Sequence, residues 1–170
     1  ATSALPPAPE NSAAIPTDGS EINAVVDGGT IAGTIIVSGS IPTLPPRQTG
    51  RDPAVCGTGN RPSERLFVNS AGGLRNAVVI VAGVSGGKPM PAEVQNEQLE
   101  QNDCDYAPHL TVMAANSDIG IRNKDPTLHN VQFFQGNDTL FNIAQPVQGQ
   151  VNSTRVENTG FIDVECAVHG

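Results

Sequence analysis

The chain has 170 residues, long enough for one domain with a real hydrophobic core plus a tail. A formal net charge of −8, with no cluster of Lys and Arg, excludes a phosphate-tracking nucleic-acid surface. Only 15% of residues are charged and 4% aromatic, while 18 Gly and 14 Pro punctuate the chain; this profile predicts short strands joined by tight turns rather than long amphipathic helices.

In chain order, the first 28 residues are rich in Ala, Pro and Ser, include Leu5-Pro-Pro-Ala-Pro9, and carry few large apolar side chains. They read as an extended arm or linker, able to lie on a partner in an assembly, ahead of one domain over residues 29–170. The chain opens Ala1-Thr-Ser-Ala without a Met, as a processed mature chain does, and no apolar run approaches the roughly 18 residues of a transmembrane segment. Strands are expected over residues 30–37, 65–69 and 76–82, with a proline-rich loop at 39–50. Val78-Val-Ile-Val81 is apolar on both faces and is expected to be central. Residues 91–101 show little apolar face beyond Val94 and Leu99 and read as a polar loop or a short helical turn. Further strands are expected at 110–114, 118–122, 129–134, 139–143, 150–157 and 161–166. About eight or nine short strands without long helices predict an all-β fold, an antiparallel Greek-key β-sandwich.

The last of these strands carries the chemistry. Side chains on a strand alternate between faces, so Ile162, Val164 and Cys166 share the apolar face while Asp163 and Glu165 meet water. The same count puts His129, Val131 and Phe133 together and leaves Asn130 and Gln132 on the other face. His169 follows Cys166 by three positions, so one tight loop can bring its ring and the sulfur onto a single ion. A C-x-x-H pair alone is a weak signal. Joined to an inward His129, it supplies two imidazoles and one thiolate, the ligand set of a copper electron-transfer site.

Around these residues the sequence resembles the cupredoxins of the plastocyanin-like superfamily. Asn123-Lys-Asp-Pro-Thr-Leu-His-Asn-Val131 is similar to the family segment in which an Asn-containing turn leads to the first copper ligand. Gly160-Phe-Ile-Asp-Val-Glu-Cys-Ala-Val-His169 is similar to the glycine-led strand that ends in the Cys ligand and its following His. Gly33-Thr-Ile-Ile-Val-Ser-Gly39, Leu74-Arg-Asn-Ala-Val-Val-Ile80 and Cys104-Asp-Tyr-Ala-Pro-His109 resemble segments of a bacterial extracytoplasmic subgroup of methylamine-utilisation-type, plastocyanin-like domain proteins. The resemblance covers residues 29 to 170. It implies one type 1 (blue) copper on His129, Cys166 and His169 and a one-electron carrier in the periplasm or at the cell surface. It also implies that Asn130 ties the ligand loops together and that His169 lies nearest the surface as the electron's exit. Family members continue past the second His, usually to a Met that is the weak axial ligand; this chain ends at Gly170, so a domain shortened at its C-terminal end is expected. Neither Met90 nor Met113 matches the axial position.

Of three cysteines, Cys56 and Cys104 would pair in an oxidising compartment and leave Cys166 as the odd thiol; the subgroup has cysteines in similar places. That bridge would contribute ~4 kcal/mol on the chain-entropy model. The rival pairing, Cys166 with either partner, would destroy the metal site.

Other chemistries fit less well. His109 as a fourth ligand is opposed by its preceding Pro and the neighbouring Cys104, which suggest a structural role. A thiol hydrolase built on Cys166 needs an oxyanion hole and an orienting Asn or Asp with no local signature here. A catalytic zinc site of the same three ligands needs a general base, and no inward carboxylate is evident near the set. The expectation is therefore a non-enzymatic carrier for a redox protein partner, cytochrome-like or a membrane electron-transfer complex, with the acidic surface steering a basic one. The alternative is a metal-free, cupredoxin-like structural subunit of a larger assembly.

Overall fold

A computed structural model describes residues 21–22, 25–81 and 86–169, and most of the arm expected over residues 1–28 lies outside the described residues. The elements in order are β1 (Glu21–Ile22), β2 (Arg47–Thr49), a one-turn helix α1 (Pro53–Cys56), β3 (Gly59–Arg61) and β4 (Gly86–Gly87). A 3₁₀ turn (Ala92–Val94) then leads into β5 (Asn96–Asn102), β6 (Asp105–Ala107), β7 (Ser117–Asn123), β8 (His129–Gln135), β9 (Asp138–Gln145), β10 (Val151–Val156) and β11 (Asp163–Glu165).

Two sheets dominate. One has the order β10-β7-β5-β6 and the other the order β11-β8-β9. The second sheet is antiparallel throughout, but in the first β5 runs parallel to β7, so the expectation of a purely antiparallel sandwich is corrected to one mixed and one antiparallel sheet. Leu99, Ile119, Ile121 and Val156 from the mixed sheet form a single buried cluster with Val131 and Phe133 from the other. Phe133 and Phe141 pack with ring centroids 5.5 Å apart, and Phe141, Ile143, Ile162 and Val164 close the cluster's side.

The strands expected at 118–122, 129–134, 139–143, 150–157 and 161–166 correspond to β7 through β11. Those expected nearer the N-terminus fail. Residues 30–37 and 65–69 contribute only isolated bridges, Ile36 to Gly73 and Val68 to Leu74, and residues 110–114 form no strand. Val78–Val81 is not central: these side chains are exposed, Val79 to 71%. Asn76 adopts a left-handed φ of 56°, which turns the chain after the Val68–Leu74 bridge, and the apolar run beyond it lines up with no neighbouring strand. Apolar content makes a strand only when a partner strand satisfies its backbone.

The converse error is β5, expected as a polar loop or helical turn. Asn96-Glu-Gln-Leu-Glu-Gln-Asn102 has one large apolar residue, yet its backbone is paired on both sides, to β7 and to β6. Its inner row runs Glu97, Leu99, Gln101, so a buried glutamine stands where an apolar residue would have signalled a strand.

That glutamine belongs to a pattern that positions everything else. Along five strands the inward row changes from apolar to polar at the same end of the sandwich. Leu99 gives way to Gln101, Ile121 to Asn123, Val131 to His129, Ile143 to Gln145 and Val164 to Cys166. The pairings Leu99↔Ile121, Gln101↔Asn123 and His129↔Gln145 bring these ends into register.

If the core lies here, Ile121→Ala, at a fully buried position, will lower the unfolding free energy by about 2–5 kcal/mol in urea titration. Val79→Ala, in the exposed apolar run, will change it by less than about 0.5 kcal/mol.

Candidate metal centre

The loop between β7 and β8 is built by one side chain. Asn123, fully buried, donates from Nδ2 to the carbonyls of Thr127 and Gln145, both at 2.9 Å, and its Oδ1 accepts the Asp125 N–H at 2.8 Å. The resulting turn puts Asp125 against the ring of the first β8 residue, His129, 1% exposed.

Cys166 follows β11 directly, and the Glu165↔Gln132 pairing delivers it beside β8. Backbone N–H groups of Asn130, Val168 and His169 donate to its sulfur. The Asn130 amide donates to Asn142 Oδ1 at 2.7 Å and to the Ile143 carbonyl at 3.2 Å, while its Oδ1 accepts the Ala167 N–H at 3.4 Å. It thereby ties β9 to the loop that carries Cys166 and His169. Tyr106 and Gln101 reach the same place from the other sheet, where the Tyr106 hydroxyl lies 3.0 Å from the carbonyls of both Asn130 and Glu165.

The three expected ligands converge. Cys166 Sγ lies 3.7 Å from His129 Nδ1 and 3.6 Å from His169 Nδ1, and the two Nδ1 atoms are 3.1 Å apart. The opposite nitrogens meet carboxylates: His129 Nε2 donates to Asp125 at 2.8 Å and His169 Nε2 to Asp52 at 2.9 Å. A carboxylate can only accept, so each Nε2 carries the proton and each Nδ1 turns a lone pair toward the other ring and the sulfur. Three electron-rich atoms aimed at one point repel unless a cation lies among them. A point about 2 Å from all three exists, close to a first-row metal's bond length to imidazole and thiolate. The donor set fits a soft or borderline metal ion such as copper or zinc.

The titration behaviour has the same cause. Burial alone would push the Cys166 thiol up, but the His129 ring and the three amides hold it down at about 6, against an ordinary 9.0. Burial disfavours a charged His129, yet Cys166 and Asp125 outweigh it and raise its pKa. Metal binding requires the thiolate and the neutral rings, so it would compete with protons for this set. Asp125 is pushed up by burial but held below the usual 3.8 by the N–H groups of Cys104 and Asp103 and by the His129 ring.

One expectation is corrected here. Inward carboxylates do exist beside the set, Asp125 buried and Asp52 half exposed. Asp125 stands four residues before His129 in the Asn-containing turn; Asp52 is 117 residues from His169 and carries no local signal. The His169 side chain is 4% exposed against 1% for His129, and its Nε2 is bonded to the half-exposed Asp52. The expected disulfide is present, Cys56 to Cys104, leaving Cys166 free. It joins α1, whose first turn is closed by N–H donation from Val55 and Cys56 to the Asp52 carbonyl, to the Asp103–Cys104 turn that grips Asp125. His109 pairs with Glu64 at 3.5 Å, Met113 packs on the core and Met90 is exposed.

Comparison with known proteins finds no matching family model, no similar curated protein and no similar solved structure.

A carboxyl whose folded pKa is depressed stabilises the fold above its unfolded value and loses that contribution as pH falls through the folded one. Urea denaturation of the metal-free protein should therefore show Asp125→Asn less stable than wild type at pH 6. The gap should narrow as the pH is lowered below the ordinary carboxylate range and through the depressed pKa of Asp125, where the wild-type carboxyl is itself protonated.

Proposed function

We propose that this chain is a copper protein of the plastocyanin-like cupredoxin kind, with a Greek-key arrangement of its two sheets, that carries single electrons between protein partners outside the cytoplasm. The observation that carries the reading is the convergence of two Nδ1 lone pairs and one thiolate on a single point, with each ring's tautomer fixed from behind by a carboxylate. When bound, copper would supply the one-electron couple; His129, Cys166 and His169 would hold it.

The protein's part is rigidity. His129 is anchored at the start of a paired strand, Cys166 by three amides, and His169 by Asp52, so little can move when the charge of the centre changes. Asn130 keeps the two ligand segments at fixed spacing. The Cys56–Cys104 bridge supports an oxidising compartment, and the net charge of −8 supports a partner with a basic face, such as a cytochrome-like protein or a membrane electron-transfer complex. Among the described residues no helix is long and apolar enough to cross a membrane.

The line Cys166, His129, Asp125 also has the form of an activated thiol. A nucleophile, however, needs one base, and the second imidazole 3.6 Å from the sulfur serves no purpose there but completes a ligand set. The amides near the sulfur donate to the sulfur itself rather than toward a substrate oxygen. A second reading is favoured by a different observation. Large apolar side chains over residues 25–81, among them Val26, Ile31, Phe67 and Val79, are exposed, as on a subunit that packs into a larger assembly without metal.

Adding Cu(II) to the purified chain should bind one ion and produce an intense visible thiolate-to-copper band, absent in Cys166→Ser and lost or strongly altered in His129→Ala and His169→Ala. A colourless wild type that retains no copper would favour the assembly subunit.

A further inference from the structure

Both imidazoles end on carboxylates, and a backbone carbonyl would have fixed the same tautomers without adding charge. With the Cys166 thiolate, Asp52 and Asp125 place three negative charges about one cation position. The two are held differently. Asp125, 5% exposed at its side chain, is gripped by the N–H groups of Asp103 and Cys104 at 2.8 and 2.9 Å. Asp52, 45% exposed, accepts from Thr127 Oγ1 at 2.8 Å besides His169. The Cys56–Cys104 disulfide links the segments that position them. Neither carboxylate is free to swing away when the charge at the centre changes.

We infer that Asp52 and Asp125 are positioning residues whose charges bias the centre toward the divalent state of its metal, so that each raises the affinity for Cu(II) more than that for Cu(I) and lowers the reduction potential below that of the same ligand set without them. The inference rests on the copper reading and goes beyond it. Each carboxylate acts through its ring: it holds the Nε2 proton, makes Nδ1 the more basic donor, and places its own charge one imidazole away from the ligand atoms. A second positive charge on the ion gains more from this surround than the first alone, because the attraction scales with the product of charges. Asp125, shielded from water, contributes more than Asp52, whose field is screened.

The decisive variant is Asp52→Asn. Its backbone lies in the left-handed region at φ 47°, which Asn tolerates as well as Asp, and the amide oxygen can still accept from His169, so only the charge is removed. Redox titration should move its midpoint to a more positive potential. Chelator competition should show Cu(II) affinity falling by about tenfold, toward the lower end of the usual second-sphere effect, with Cu(I) affinity changed less. Asp125→Asn should shift both readings further; its circular dichroism and urea midpoint report whether the Asp103–Cys104 turn has held. Intact copper colour in Asp52→Asn and in folded Asp125→Asn, with midpoints equal to wild type or with Cu(I) and Cu(II) affinities falling together, would overturn the inference and leave the copper reading standing. A wild type that takes up no copper would overturn both.

Discussion

The hydrogen bond from His129 Nε2 to Asp125 is the constraint on which the site depends. It decides which ring nitrogen keeps its proton, and so which one presents a lone pair to Cys166 and His169. The bond exists because Asn123 folds the preceding turn back on itself and because two amides of the Asp103–Cys104 turn hold the carboxylate ionised. The chemistry of the centre is thus set by a buried polar network whose members would each be costly to leave unpaired.

That network is affordable only because it is confined to one end of the sandwich. The apolar cluster of Leu99, Ile119, Ile121, Val131, Phe133 and Val156 fills the rest and contributes the burial that holds the sheets together. Where the five inward rows turn polar, the side-chain amides of Gln101, Asn123 and Gln145 donate to backbone carbonyls of the facing sheet, and His129 bonds to Asp125 in the loop between β7 and β8. Gln145 reaches the Ile121 carbonyl and Gln101 the Asn130 carbonyl, so the same residues that end the core join the two sheets beside the ligands.

The disulfide has a similar double role. It closes a separation of 48 residues, which restricts the unfolded chain, and in the folded one it connects the two segments behind the imidazoles. The first half of the described chain has few other ties to the core, and its apolar side chains are largely exposed. α1 and the turn at Asp52 are the part of that half that reaches the centre, through Thr127 and His169.

Period-two alternation is a local property of an extended chain, and so the facing of His129 with Val131 and Phe133, and of Cys166 with Val164, could be read from the residues alone. So could the later strands, whose alternating apolar residues find partners, and the odd thiol left by pairing Cys56 with Cys104. Tertiary structure decided what depends on partners distant in the chain. It made a strand of Asn96–Asn102 despite its polar composition, because β6 and β7 satisfy its backbone, and left Val78–Val81 unpaired despite its apolar one. It also brought Asp52 across 117 residues to meet His169, a contact no local pattern encodes, because a carboxylate finds its imidazole only after helix, disulfide and loop have been placed by the rest of the fold.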